Sequence, residues 1–184
     1  MMGRNTAILA WGLACAVYLA MLVWTMPALT AFSGGQPVFD MLPAGYTFKQ
    51  ALALIDSLGE EGRAYYLDAQ HKLDTVYPPL LAISFALSFR LLFRRKVAFA
   101  MIALAVSAAG FDLLENAAVS SMLSAYPSGL TEEMVGFASR LTIVKSVLTT
   151  LAFIALLVGL ARAIWRRFSR RTPRPYGFSN RSRT

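Results

Sequence analysis

The stretch VAFAMIALAVSAAGFDLLENAAVSSML, residues 97–123, decides the fold class. It is longer than the roughly 20 apolar residues that an α-helix needs to cross a hydrocarbon core. Three other runs are comparable, so the chain is predicted to contain four membrane helices, at about 6–26, 75–93, 97–123 and 137–164. A hydrophobic content of 57% in 184 residues supports this prediction, because a soluble domain of this size cannot bury so much apolar surface.

The sequence therefore predicts an all-α, polytopic integral membrane protein. A four-helix transmembrane domain covers residues 1–167, and a basic, disordered cytoplasmic tail covers residues 168–184. The first extracytoplasmic loop and its helices occupy residues 28–74. Within that loop, Thr47 and Gln50 have the spacing of a capping box, and the apolar positions that follow, up to a stop at Gly59, predict a short amphipathic helix.

Positive charge is concentrated in three regions of the chain. Thirteen of the 18 Lys and Arg residues lie at the N-terminus, around residues 90–96 and from residue 162 onward, with no acid among them. By the positive-inside rule, both termini and the second loop face the cytoplasm. The expected location is a bacterial inner (plasma) membrane. Residues 6–26 are read as an uncleaved anchor, because their apolar part is longer than that of a usual signal peptide.

The chain lacks the residues of several common functional classes. It has a single cysteine, Cys15, and a single histidine, and it contains no HExxH, GxxxxGK or GxGxxG motif. We therefore expect no cofactor and no metal site. The arginine-rich tail is expected to contact anionic lipid and not nucleic acid.

Polar residues interrupt three of the predicted helices at similar depths. Counting from the basic ends at ~1.5 Å per residue places Asp112, Lys145 and Tyr77 ~25 Å from the inner boundary, and Glu115 and Asp74 ~5 Å further. The polar cluster is thus predicted to lie in the outer half of the membrane.

Helical phase predicts which way these side chains face. Asp112, Glu115 and Asn116 share a face of the third helix with small residues, which mark close helix contacts. Lys145 lies on a small and hydroxylated stripe of the fourth helix. We predict that Lys145 pairs with Asp112 or Glu115, and that Asn116 bonds one of these acids.

His71 lies three residues before Asp74 on a predicted helix, where the two side chains could form an acid/base pair. The alternative for His71 is a lone exposed histidine. The alternative for His71, Asp74 and Tyr77 together is a structural or interfacial role at the outer rim.

The candidate ligand- or proton-binding residues are Asp74, Tyr77, His71, Asp112, Glu115, Asn116 and Lys145. Three functions fit them. The protein either binds or transports a lipophilic or cationic small molecule or protons, or is an enzyme acting on a lipid-soluble substrate, or is an accessory subunit in which the charges are structural. The residues do not decide between binding and catalysis. Partners beyond the lipid bilayer are either a second copy of the chain or another membrane protein.

Four helices with carboxylates in one leaflet resemble the general layout of the sterol isomerase and sigma-2 receptor superfamily. No motif of that superfamily matches residue by residue, so the resemblance implies no residue roles here.

Overall fold

The computed structural model describes residues 2–169, and these form four long helices. We label them α1 (Gly3–Phe32), α2 (Phe48–Leu92), α3 (Arg95–Ala125) and α4 (Glu132–Ser169). Each is long and apolar enough to cross a membrane. Residues 2–169 contain no β-strand. The predicted tail lies outside the described residues from residue 170 onward.

The helices extend beyond the spans predicted from hydropathy. α1 continues to Phe32, and the predicted loop over residues 28–74 shrinks to a non-helical segment, 33–47, that contains one short 3₁₀ turn, Phe39–Met41. Hydropathy locates the apolar part of a helix, whereas the backbone hydrogen bonds continue into polar residues on either side. We call the end of the bundle where residues 33–65 and 126–131 lie the loop end, and the opposite end the basic end.

Gly59 divides α2 into two arms. Its φ of 63° lies in the left-handed region, and the backbone is not helical there. The capped arm, 48–58, begins with a capping box: the Thr47 amide donates to Gln50 Oε1 at 2.8 Å, and the Gln50 amide donates to Thr47 Oγ1 at 3.3 Å. The long arm, 60–92, stays helical through Pro78 and Pro79 and includes Asp74. The second helix therefore continues past Asp74 toward the loop end.

Two short π-helical segments face each other between α1 and α2. They are Met21–Thr25 and Tyr66–Gln70. The Thr25 hydroxyl donates to Gln70 Oε1, and both side chains are fully buried. A π-helical turn re-aims side chains within a helix, and here it directs two polar groups toward each other.

The packing order of the helices is α1 on α2, α2 on α3 and α3 on α4. Two apolar cores result. The loop-end core joins the capped arm to the ends of α3 and α4 and includes Phe39, Ile55, Met122 and Val135. The basic-end core includes Phe85, Phe89, Ala105 and Ala152. Along α3 and α4 the polar residues lie between these two cores.

Large apolar side chains cover the outside of the bundle. Val23, Phe99 and Leu157 are among many that are more than half exposed. An outer surface of this kind is unusual for a soluble protein and typical of a lipid-facing one.

Candidate functional site

Lys145 lies at the centre of three carboxylates. Its Nζ is 3.0 Å from Asp112 Oδ1 and 3.3 Å from Asp40 Oδ1, and it forms a direct ion pair with Glu115 Oε2. The four side chains are at most 17% exposed. A single ammonium group thus lies between three acids.

Three separate elements supply these groups. Asp112 and Glu115 are one turn apart on α3 and face α4, whose small and hydroxylated stripe carries Lys145. Lys145 therefore pairs with both of the acids that helical phase had placed opposite it. Asp40 comes from the 3₁₀ turn of residues 39–41, which reaches over the bundle from the loop end.

Glu115 is the most deeply buried of the three acids, with 1% of its side chain exposed. Its Oε1 accepts a hydrogen bond of 2.6 Å from Thr142, and its Oε2 faces the Lys145 ammonium. Each carboxylate oxygen therefore has a positive or donating partner, which a buried carboxylate requires.

Tyr46 lies above this group. Its main-chain amide donates to Ser139 Oγ at 2.8 Å. Its buried hydroxyl lies beside Thr142 but forms no hydrogen bond within residues 2–169. Burial raises the pKa of the Tyr46 phenol, and the Glu115 and Asp40 carboxylates raise it further, against the opposing effects of Thr142 and Lys145. Tyr46 therefore remains a protonated donor at neutral pH.

Asp74 forms a second branch of the site on α2. Gln70 Nε2 donates to Asp74 Oδ1 at 2.9 Å, and Asn116 Nδ2 donates to the Asp74 main-chain carbonyl at 2.8 Å. The prediction that Asn116 bonds Asp112 or Glu115 is therefore wrong. Asn116 reaches α2 and not α4, because one further residue along α3 rotates its side chain by about 100° from Glu115.

His71 and Tyr77 have different surroundings. His71 Nδ1 lies 3.0 Å from Ser120 Oγ, while the Asp74 carboxylate is bonded to Gln70, so the structure contains no His71–Asp74 pair. Tyr77 is half-buried, and its ring lies 5.6 Å from that of Tyr18 on α1.

A cavity of about 570 Å³ lies between α1 and α4 beside these groups. Its polar wall contains Asp40, Asp74, Asp112, Tyr77 and Lys145, together with hydroxyl groups of α4 at Ser146, Thr149 and Thr150. Its apolar wall contains Tyr18, Met21, Leu22, Met26, Leu81 and Phe153. The arrangement is that of a ligand site: mostly apolar walls with a few convergent polar groups.

Sequence reasoning missed Asp40, Gln70 and Thr25. Asp40 lies in an irregular segment rich in Gly and Pro, where no helical period predicts a direction. The only signal was that it is the single acid of that segment. Gln70 and Thr25 meet through π-helical turns, which a regular 3.6-residue period does not describe.

Comparisons of the chain with protein-family models, with curated proteins and with solved structures found no match. Within residues 2–169, no group of His, Cys, Asp and Glu side chains is arranged to hold a metal ion. The chemistry of the site is therefore argued from its own geometry.

Proposed function

We propose that this protein binds a lipophilic cation inside the membrane and moves it across or out of one leaflet. The observation that carries the proposal is the cavity between α1 and α4, whose charged lining consists of three acids and a single base. With Glu115 the site has four acids and one base, and three of the acids pair with the Lys145 ammonium. Acids thus outnumber bases in a region where charge is costly.

Electrostatics favours a cationic occupant. Lys145 is already close to Asp112, Glu115 and Asp40, so it offers little further compensation to Asp74, which lines the cavity from α2. The described side-chain partner of Asp74 is the neutral amide of Gln70. A cation near Asp74 and Asp112 would offset the cost of holding both carboxylates away from water.

The apolar half of the cavity supports a lipophilic occupant. Met21, Leu22 and Met26 of α1 and Phe153 of α4 line it, and methionine side chains adapt to ligands of different shape. The Tyr18 and Tyr77 rings lie at the same wall and can stabilise a cation through their faces. A hydrated inorganic ion would gain nothing from these walls.

For the membrane topology we keep the orientation argued from charge. The basic end faces the cytoplasm, and both termini lie there. The polar cluster then lies in the outer half of the bilayer. In this orientation the cavity is reached from the outer leaflet between α1 and α4, and the expected location is a bacterial inner membrane.

The proposal is tested with tetraphenylphosphonium, a lipophilic cation, by equilibrium binding to the protein in phosphatidylcholine nanodiscs. We expect saturable binding to the wild type and a loss of about tenfold or more in Asp112→Asn, as for removal of a desolvated charge contact. Asp56→Asn is the matched control, because Asp56 lies on the capped arm and does not line the cavity. Absence of saturable binding to the wild type, or equal losses in both variants, would contradict the proposal.

A second candidate function is an enzyme acting on a lipid-soluble substrate. Asp74 and Tyr77 favour it, because they line the same cavity one turn apart and are not part of the Lys145 ion pairs. A general acid must carry a proton in order to donate it, and a carboxylate that is ion-paired with an ammonium carries none; Asp74 is not paired in this way. Incubation of the protein with a lipid extract tests this: a product formed by wild type and absent with Asp74→Asn would establish catalysis.

A further inference from the structure

A second cavity, of about 450 Å³, lies at the basic end of the bundle. It is located at the turn where α2 ends at Leu92 and α3 begins at Arg95. Its lining consists of Arg90, Phe93, Arg95, Ala98, Phe99 and Ile102. None of these residues lines the cavity beside Lys145, so this site is independent of the function proposed above.

The positive charge of this cavity is uncompensated within residues 2–169. Arg90 and Arg95 are exposed, and neither belongs to the ion pairs of this part of the chain. The first turn of α3 contains no acid, and Arg95 and Lys96 lie there against the positive end of the helix dipole. An anionic ligand would relieve this accumulation of like charge. The guanidinium forks of two arginines are suited to phosphate oxygens.

The rest of the cavity is apolar. Ala98, Phe99 and Ile102 extend along α3 away from Arg95, over roughly 10 Å at ~1.5 Å per residue. The Phe99 side chain is 75% exposed on the outside of the bundle. The cavity thus has a cationic end at the turn between α2 and α3, and an apolar end that follows α3 along the outer surface of the bundle.

We propose that this cavity binds an anionic phospholipid, with the phosphate held by Arg90 and Arg95 and an acyl chain lying along Phe99 and Ile102. A soluble phosphate would leave the apolar end unused. A zwitterionic headgroup is disfavoured, because the cavity lining contains no acid to pair with its ammonium group. Bases at the turn between α2 and α3 are followed by apolar residues along α3, and this is the order of the charged headgroup and the hydrocarbon chains in a phospholipid.

Native mass spectrometry of the full chain in mild detergent tests the proposal, with phosphatidylglycerol and phosphatidylcholine offered in equal amounts. Wild type retains phosphatidylglycerol preferentially. Arg90→Gln and Arg95→Gln each reduce that retention by about fivefold, the effect of one base near an anionic lipid. Arg94→Gln and Lys96→Gln are the matched controls, since these bases belong to the same turn but do not line the cavity; we expect them to reduce retention less than the two lining arginines do.

Three results would overturn the proposal. Equal losses in all four variants would mean diffuse attraction by the basic turn. No preference for phosphatidylglycerol in wild type would mean no anionic site. Displacement of the lipid by an equal concentration of glycerophosphate would mean that the acyl chain contributes nothing.

A second variant tests the apolar end without changing charge. Ile102→Trp fills the cavity beside Phe99 and is expected to reduce phosphatidylglycerol retention by about fivefold or more, as a steric block of the chain. Val106→Trp, one turn further along α3 and exposed outside the cavity, is its control. Unchanged retention of phosphatidylglycerol in Ile102→Trp would show that no acyl chain lies in the cavity.

Discussion

The Lys145 ammonium on α4 and the Asp40 carboxylate lie 3.3 Å apart, although 105 residues separate them in the chain. This contact connects the segment between α1 and α2 to the centre of the bundle. It makes Lys145 the shared partner of a loop and a helix. The group that neutralises the acids of α3 therefore also holds the segment of residues 33–47 in place.

Removal of Lys145 is expected to be the most damaging single change in the cluster. Lys145→Met leaves three buried carboxylates without their common partner and should lower the free energy of unfolding by about 3–5 kcal/mol. Asp112→Asn should cost less, because the ammonium retains Glu115 and Asp40. Unfolding in mixed micelles with an increasing fraction of sodium dodecyl sulfate measures the free energy of unfolding of both variants.

A double variant and a control at an exposed lysine complete that experiment. Lys145→Met combined with Asp112→Asn should recover only part of the loss, because Asp40 and Glu115 remain unpaired. Lys49→Met, at an exposed position of the capped arm, should change stability by less than about 0.5 kcal/mol. Full recovery in the double variant would mean that Asp112 alone is the partner of Lys145.

Gly45 allows the segment that carries Asp40 to approach α4. Its φ is +84°, and a Cβ placed there would lie 2.6 Å from Ser139 Oγ and 3.0 Å from Ile143 Cδ1. Gly45→Ala should therefore lift the segment from α4, break the Tyr46–Ser139 hydrogen bond and weaken the Asp40–Lys145 pair. Limited proteolysis within residues 33–47 should become faster.

Gly34→Ala is the control for Gly45→Ala. Gly34 also has a positive φ, +64°, but a Cβ there has no atom within 4 Å. It should show only the backbone strain of about 1–2 kcal/mol. If the two variants lose the same stability and are cleaved at the same rate, the close approach at Gly45 is not important.

Gln70 connects the two π-helical turns and Asp74. Gln70→Leu removes the donor to the Asp74 carboxylate and leaves the Thr25 hydroxyl with only its long hydrogen bond to the Met21 carbonyl, at 3.4 Å. We expect a loss of about 2–6 kcal/mol in the free energy of unfolding, at roughly 1–3 kcal/mol for each of the two groups that lose Gln70 as a partner. Gln36→Leu, at an exposed position, is the comparison, and a similar loss in both variants would rule out the buried network as the cause.

Tyr126 and Asp56 provide a pH-dependent contact between the α3–α4 connection and the capped arm. The Tyr126 hydroxyl donates to Asp56 Oδ1 at 2.6 Å, and this bond raises the pKa of the Tyr126 phenol, with partial burial and the Asp56 charge adding to the effect and Arg63 opposing it. Because the folded-state pKa is raised, the contact is fully present below the ordinary tyrosine pKa and is lost as the pH rises through the raised value.

The measurement is an alkaline ultraviolet titration of tyrosinate. The tyrosinate component that is present in wild type and absent from Tyr126→Phe should titrate above the ordinary tyrosine pKa. In Asp56→Asn the pKa of this component should be lower. An unchanged titration in Asp56→Asn would show that the hydrogen bond does not form in solution.

Helical phase predicted the α3–α4 half of the site because both helices are regular there. Asp112, Glu115 and Lys145 have directions fixed by a 3.6-residue period, and small residues beside them indicate the packed face. The partner of Asn116 could not be obtained in this way, since it depends on how α2 is rotated against α3. Asp40 could not be predicted either, because its direction is determined by a 3₁₀ turn and by tertiary contacts around Gly45.

The packing order of the helices has a mechanical consequence. α1 packs along α2 and reaches α4 through the rings of Trp11 and Phe153, whose centroids are 6.3 Å apart, so its packing against α4 is much sparser than its packing against α2. This sparsely packed boundary between α1 and α4 runs beside the acidic wall of the cavity. Under the proposed function, displacement of α1 from α4 would open the cavity while α2, α3 and α4 hold Asp74, Asp112 and Lys145 in place. The width of the molecule that enters would then depend on one helix, and the charge that it meets would depend on the other three helices and on Asp40.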